Sequence, residues 1–138
     1  MNKILVVDDE EGFVKIVQMR LEMEGLEVIT AFDGEQGLAK AVSDKPDLIL
    51  LDLSMPGMTG EEILGKLNDH DETRTIPVII LTGKAGADNV VRCMTEERVK
   101  DYIVKPFTTD DFLKKINTVL MDKIDKKVRK VLDEKDKK

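Results

Sequence analysis

The stretch ILVVDDEEG, Ile4–Gly12, breaks from four apolar residues into four consecutive acids. Apolar residues in succession, without alternation, are how a strand buried on both faces reads. Four like charges at the end of such a strand repel one another and cost desolvation energy if the fold draws them together. Comparable runs recur at LEVIT (Leu26–Thr30), LILL (Leu48–Leu51), VIIL (Val78–Leu81) and YIV (Tyr102–Val104). Between them lie sets at helical spacing: Phe13, Ile16, Val17 and Leu21; Ile63, Leu64 and Leu67; Val90, Val91 and Met94; Phe112, Ile116, Val119 and Leu120. Glu35–Val42 carries the weakest helical pattern, mainly Leu38, Ala41 and Val42.

Helix ends are marked. Thr59 with Glu62 reads as a capping box, Thr108 or Thr109 precedes Asp110 and Asp111 at a helix start, and Gly25 suits the end of the first helix. Five strand–helix units in alternation imply a parallel sheet with right-handed crossovers and helices on both faces. In such open sheets, sites form beyond the carboxyl ends of the strands.

The totals fit one domain. The chain has 138 residues, a net charge of −6 and a single cysteine, Cys93. The negative balance argues against nucleic-acid binding by the body of the protein. A lone cysteine makes no internal disulfide and fits a reducing compartment. No apolar stretch approaches the roughly 18 residues of a membrane span, and the first run is too short for a signal peptide. The reading is of a cytoplasmic globule without solenoid repeats or a zinc-ligand pattern.

The residues just after each strand carry the chemistry. Asp8, Asp9, Glu10 and Glu11 succeed the first run, Asp52 the third, Thr82 the fourth and Lys105 the fifth. If strands one, three, four and five are neighbours, three carboxylates, a hydroxyl and an ammonium converge on one crevice. Clustered carboxylates make a nest for a hard divalent cation such as Mg²⁺. An acidic nest with a lysine and a hydroxyl suits phosphoryl transfer, with Asp52 as an already ionised nucleophile and no general base needed. Glu10 and Glu11 fall in a first helical turn, where the helix dipole favours them.

The stretches VVDDEE, LILLDLSMPGMTGEE, IPVIILTGK and DYIVKPF, in that order and spacing, resemble the receiver domain of two-component response regulators over roughly residues 1–122. The resemblance implies a flavodoxin-like, doubly wound, five-stranded parallel sheet of order 2-1-3-4-5 with five helices, the last extended. It implies that Asp52 is the phosphoacceptor and that Asp9, Asp52 and the Ser54 backbone carbonyl hold Mg²⁺, with Asp8 contributing through water. It implies that Lys105 pairs with the phosphoryl group and that the Lys105–Pro106 bond is cis. Thr82 then moves towards the phosphate, and the Tyr102 ring moves in after it. The implied donor is a sensor histidine kinase or a histidine phosphotransfer protein, and the output face comprises the fourth helix, fifth strand and fifth helix. Such a protein phosphorylates and dephosphorylates only itself and is not a turnover enzyme. The glycine- and alanine-rich GKAGAD after Thr82 suits a loop that moves. The chain departs from the family pattern at TEERVK, where a small Ala-Gly-Ala-like turn is usual, and at Thr59-Gly60, where Asp-Gly is commoner.

From Lys123 the composition shifts. Residues 123–138 hold eight Lys and Arg against four Asp and Glu, leaving the rest of the chain near −10. The expected division is a receiver domain over 1–122 and a charged helical extension over 123–138. Ile124, Val128 and Val131 continue the apolar stripe of Ile116 and Leu120. The stripe is not a clean heptad, since Lys127 stands where a coiled coil would want an apolar residue. It must bury on the domain, on a second copy, or on a partner, which is either a downstream protein target or an effector domain cut away from the receiver.

Other readings fit the same residues less well. A phosphohydrolase with an Asp nucleophile would carry Asp-x-Asp after its first strand, whereas Asp8-Asp9 and Asp52-Leu53-Ser54 stand here. A flavin module would need a Ser/Thr/Gly-rich phosphate cradle where DDEEG stands. A receiver that docks without taking phosphate would not need all the signature residues. His70 reads as solvated, Met19, Met23, Met94 and Met121 as core packing, and Cys93 as a helix residue without redox work.

Overall fold

The structure, a computed structural model, describes residues 2–83 and 87–136. Five strands alternate with five helices: β1 Lys3–Val7, α1 Glu11–Met23, β2 Glu27–Ala31, α2 Gly34–Asp44, β3 Leu48–Asp52, α3 Gly60–Asn68, β4 Val78–Thr82, α4 Ala87–Met94, β5 Val99–Val104 and α5 Thr109–Asp136. The strands form one sheet in the order β2-β1-β3-β4-β5, and every pairing is parallel. The expected fold class and strand order are those observed.

Helical crossovers join successive strands and make the pairings parallel, and the apolar runs of β1, β3 and β4 are buried on both faces. Ile4, Val6, Leu48, Leu50, Ile79 and Leu81 are buried, and so are the alternate residues Leu5, Val7, Ile49, Leu51, Val78 and Ile80. The second set joins Ala41 of α2, Ile63, Leu64 and Leu67 of α3, and Val90 and Cys93 of α4 in one core. α2 approaches β1 so closely that a Cβ on Gly37 would stand 2.9 Å from Val7 Cγ2. α1 buries Val14, Val17 and Leu21.

The caps are those the sequence marks. Thr59 Oγ1 accepts from the Glu62 backbone N–H at 3.1 Å, opening α3, and Thr108 Oγ1 accepts from that of Asp111 at 3.2 Å in α5. Gly25, at φ +81°, comes after the end of α1, and its N–H returns to the Glu22 carbonyl at 3.0 Å.

The chain divides into two compact units, Met1–Phe107 and Thr108–Lys138. The first holds the whole sheet. The second contains α5, one unbroken helix of 28 residues, and the boundary expected at 122/123 falls inside that helix. Phe112, Ile116, Val119 and Leu120 are buried, whereas Met121, Ile124, Val128, Val131 and Leu132 are exposed. In this unbroken helix Ile124 and Val128 follow Ile116 and Leu120 at four-residue spacing, but beyond Leu120 the stripe is exposed. The GKAGAD segment begins at Gly83 and runs into residues 84–86, and the mobility expected of it lies with them outside the described residues.

Helix faces depart from expectation in places. Ile16, Met19 and Met23 of α1 and Val91 and Met94 of α4 are exposed, as is Met121. The four methionines expected in the core are thus surface residues. α1 and α4 carry more apolar residues than one buried stripe accommodates, so spacing alone does not fix the phase of the helix. Among the described residues no helix is long and apolar enough to cross a membrane.

Candidate functional site

β1, β3 and β4 lie side by side, and β5 flanks β4, so their carboxyl ends deliver four groups to one crevice. Asp8 directly succeeds β1, Asp52 ends β3, Thr82 ends β4 and Lys105 directly succeeds β5. The Lys105 N–H donates to the Thr82 carbonyl at 2.7 Å, which anchors the lysine to the neighbouring strand. The Lys105–Pro106 bond is cis.

Asp8 and Asp52 are set in the same way. Oδ1 of Asp8 accepts from the Glu10 backbone N–H at 3.0 Å, and Oδ1 of Asp52 accepts from that of Ser54 at 2.8 Å. Each carboxylate thus spends one oxygen on the backbone two residues ahead, a turn that short acids favour. The second oxygens turn to Lys105: Nζ lies 2.6 Å from Asp8 Oδ2 and 3.5 Å from Asp52 Oδ2. Glu10 Oε1 stands 3.5 Å from the same ammonium. Asp8 and Asp52 are buried, Asp9 is exposed, and one carboxylate oxygen from each of the three lies within 4.8 Å of the others. Glu10 occupies the N-cap position of α1, and its side chain makes no capping hydrogen bond.

The charges do not balance. Burial raises the Asp52 carboxyl to about 6; the nearby Asp8 charge adds to the rise, while the Ser54 N–H and Lys105 oppose it. For Lys105, burial lowers the affinity for its proton, but the hydrogen bond to Asp8 and the charges of Asp52, Asp8 and Glu10 outweigh it and hold the ammonium above its ordinary value. Two buried carboxylates and the exposed Glu10 face one ammonium, which leaves an excess of negative charge beside it. Convergent carboxylate oxygens with spare lone pairs fit an oxygen-preferring divalent cation, and the trio of Asp8, Asp9 and Asp52 passes that test on geometry and donor type.

The remaining expected residues lie nearby in different states. Thr82 is buried and its hydroxyl donates to the Gly83 carbonyl at 3.0 Å. The Tyr102 side chain stands on β5 and is 41 % exposed. His70 is exposed, as expected, and Cys93 is buried within α4.

One residue expected in the α1 core stripe belongs here instead. The Phe13 ring centroid lies 4.2 Å from Lys105 Nζ, and the ring meets Phe107 edge-on, centroids 5.7 Å apart at 82°. Its place one turn after the acids is the available signal, but helical spacing assigns it to the core.

Residues 4–117 match the response regulator receiver domain family. The chain is 38% identical over 120 residues to the response regulator ArlR of Staphylococcus saprophyticus, covering 87% of this chain and 53% of that protein. It is 43% identical over 104 residues to the response regulator PleD of Caulobacter vibrioides, covering 75% and 23%. It is 40% identical over 118 residues to the alkaline phosphatase synthesis transcriptional regulatory protein PhoP of Bacillus subtilis, covering 86% and 48%. The chain spans about half or less of the length of these relatives. Among solved structures, a response regulator receiver domain protein from Clostridium thermocellum superposes with a TM-score of 0.81 at 34% identity, over 89% of this chain and 97% of that one. The chemotaxis protein CheY4 of Vibrio cholerae gives 0.79 at 32% identity, over 86% and 98%.

Proposed function

The chain belongs to the response regulator receiver domain family of two-component signalling, and from that premise we propose that Asp52 takes a phosphoryl group from a phosphohistidine and thereby switches the protein's output. The observation that carries the proposal is the gathering of the Asp8, Asp9 and Asp52 carboxylates within 4.8 Å, with Lys105 Nζ set between Asp8 and Asp52.

The groups present define the step. An ionised Asp52 oxygen attacks the phosphorus of the donor, forming a P–O bond while the P–N bond to the donor imidazole breaks and its electron pair stays on nitrogen. Asp52 rises to about 6, so at neutral pH it is largely the carboxylate that this attack needs. Lys105 neutralises charge on the transferred oxygens. Asp9, Asp52 and the Ser54 carbonyl would hold Mg²⁺, with Asp8 acting through water, and the ion would supply further positive charge against the phosphoryl oxygens.

Switching comes from a change of partner. The Thr82 hydroxyl, which donates to the Gly83 carbonyl, gains a stronger acceptor once a dianionic group stands on Asp52, and a two-state loop is biased accordingly. Tyr102 then moves inward, and α4, β5 and α5 carry the output. The donor is a sensor histidine kinase or a histidine phosphotransfer protein. The recipient of the signal is a downstream protein or an attached effector domain, in a cytoplasmic setting. Residues 1–122 form the switch, and residues 123–138 serve self-association or partner contact.

Incubation with a small phosphodonor and Mg²⁺, followed by intact-mass measurement, tests this. A gain of one phosphoryl group is expected, lost with chelator and with Asp52→Asn. Equal labelling of Asp52→Asn would overturn the assignment. Removal of residues 123–138 should leave labelling intact while changing self-association or partner binding.

A further inference from the structure

Lys105 must deliver its ammonium to a phosphoryl group, yet its four-carbon stem is flexible and its partners are shared. Of the groups that hold it, Asp8 and Asp52 belong to the carboxylate cluster, and Glu10 is an exposed side chain 3.5 Å away. Any divalent cation drawn to the cluster competes with the ammonium for the same oxygens and repels it. The hold is weakest when the lysine is needed.

One contact escapes this competition. The Phe13 ring lies 4.2 Å from Lys105 Nζ, centroid to nitrogen. The face of an aromatic ring is electron-rich and attracts a cation, and a phenyl ring ligates no metal. Phe13 is half-buried and absent from the buried set of α1, Val14, Val17 and Leu21. Its edge-to-face contact with Phe107, two residues beyond Lys105, fixes the plane of the ring. α1 therefore places Phe13 beside the lysine and not in the core.

We propose that Phe13 is a positioning residue for phosphorylation: its ring holds the Lys105 ammonium at the mouth of the carboxylate cluster while Asp8, Asp9 and Asp52 are engaged elsewhere. The inference rests on the phosphoacceptor reading above and adds a residue to it.

The test uses the full chain, a small phosphodonor and Mg²⁺. Phe13→Leu keeps apolar bulk but removes the ring face, and should slow labelling at saturating donor by about threefold to tenfold, in keeping with a cation–π contact. The donor concentration for half-maximal rate should stay unchanged. Phe13→Tyr and Phe13→Trp should label within about twofold of the parent, since both retain a ring face. Fluorinated phenylalanines at position 13, which keep shape and packing while withdrawing charge from the ring, should slow labelling stepwise with each fluorine. A second readout needs no reaction: the ε-methylene protons of Lys105 should show an upfield ring-current shift by NMR that survives Mg²⁺ addition and vanishes in Phe13→Leu. A flat fluorine series, Phe13→Tyr as slow as Phe13→Leu, or loss of the ring-current shift on adding Mg²⁺ would each overturn the role of Phe13. If Phe13→Leu fails to fold, the fluorinated series still decides. A parent that takes no phosphoryl group, or an Asp52→Asn that does, sinks the phosphoacceptor reading instead.

Discussion

Two buried charged sites stand at opposite ends of one sheet. At the carboxyl ends, Asp8 and Asp52 lie beside Asp9 and share one lysine. At the amino-terminal end of β5, Arg98 is 7 % exposed, and its Nη1 donates to the Thr73 carbonyl at 2.6 Å. Its Nε and Nη2 have no partner among the described residues. Burial lowers the guanidinium from its ordinary value, with Glu96 opposing the shift. Arg98 ties β5 to the loop between α3 and β4, and its carbonyl accepts from the Val78 N–H at 2.8 Å where β4 begins. One site is a buried cation bonded to a backbone carbonyl, a brace. The other gathers like charges around one ammonium, each buried carboxylate keeping one oxygen uncommitted to backbone, an arrangement whose donor set fits a divalent cation.

Mutation should separate the two sites. The largest contrast is chemical: Asp52→Asn should abolish phosphoryl labelling, whereas Arg98→Ala should leave the labelled fraction of folded protein unchanged, both read by intact mass. Lost labelling in a folded Arg98→Ala would break the contrast. On stability, Arg98→Ala should destabilise by about 2–4 kcal/mol, because it removes a buried charged hydrogen bond and leaves a void; urea denaturation measures this. Asp52→Asn should act in the opposite direction in metal-free buffer. The folded Asp52 carboxyl titrates at about 6 against 3.8 ordinarily. Between those values the folded state binds the proton that the unfolded chain has released. Stability therefore falls as pH rises through that window, and the variant should be more stable by about 1–3 kcal/mol at pH 7.5, with the gain gone below about pH 4. The smallest effect is the ion's: Mg²⁺ at tenfold its Kd should stabilise the parent by about 1.4 kcal/mol, a few degrees in Tm, and Asp52→Asn much less. An equal shift in the two proteins would detach the ion from the carboxylate cluster.

The sequence carries the strands and the residues that end them, because consecutive apolar residues and the residue ending each run are local signals; the convergence of Asp8, Asp9, Asp52 and Lys105 depends on strand order, which is not local and came from the family resemblance. The apolar run at Tyr102–Val104 marks only part of β5, which begins at Val99. Its first half carries Lys100 and Asp101, and the register slips between Val78 and Ile79 of β4, so no apolar run announces it. Nothing local flags Arg98, because an arginine among charged neighbours reads as surface; its burial comes from tertiary packing around β4 and β5. Phe13, Ile16, Met19 and Met23 show the limit of helical spacing. It reports that a helix has an apolar side without saying where a crowded apolar set turns outward, and here Ile16 and both methionines face solvent.

The two margins of the sheet differ in a way that bears on handling the protein. β5 ends the sheet with Lys100 and Asp101 in its first half, charges that discourage a foreign strand from adding to it. β2 ends the other side as Glu-Val-Ile-Thr-Ala, with one charge, at its start, and three half-buried residues after it. When the chain is concentrated or partly opened, β2 is the less guarded margin, and a lysine placed there is the first change to make against aggregation.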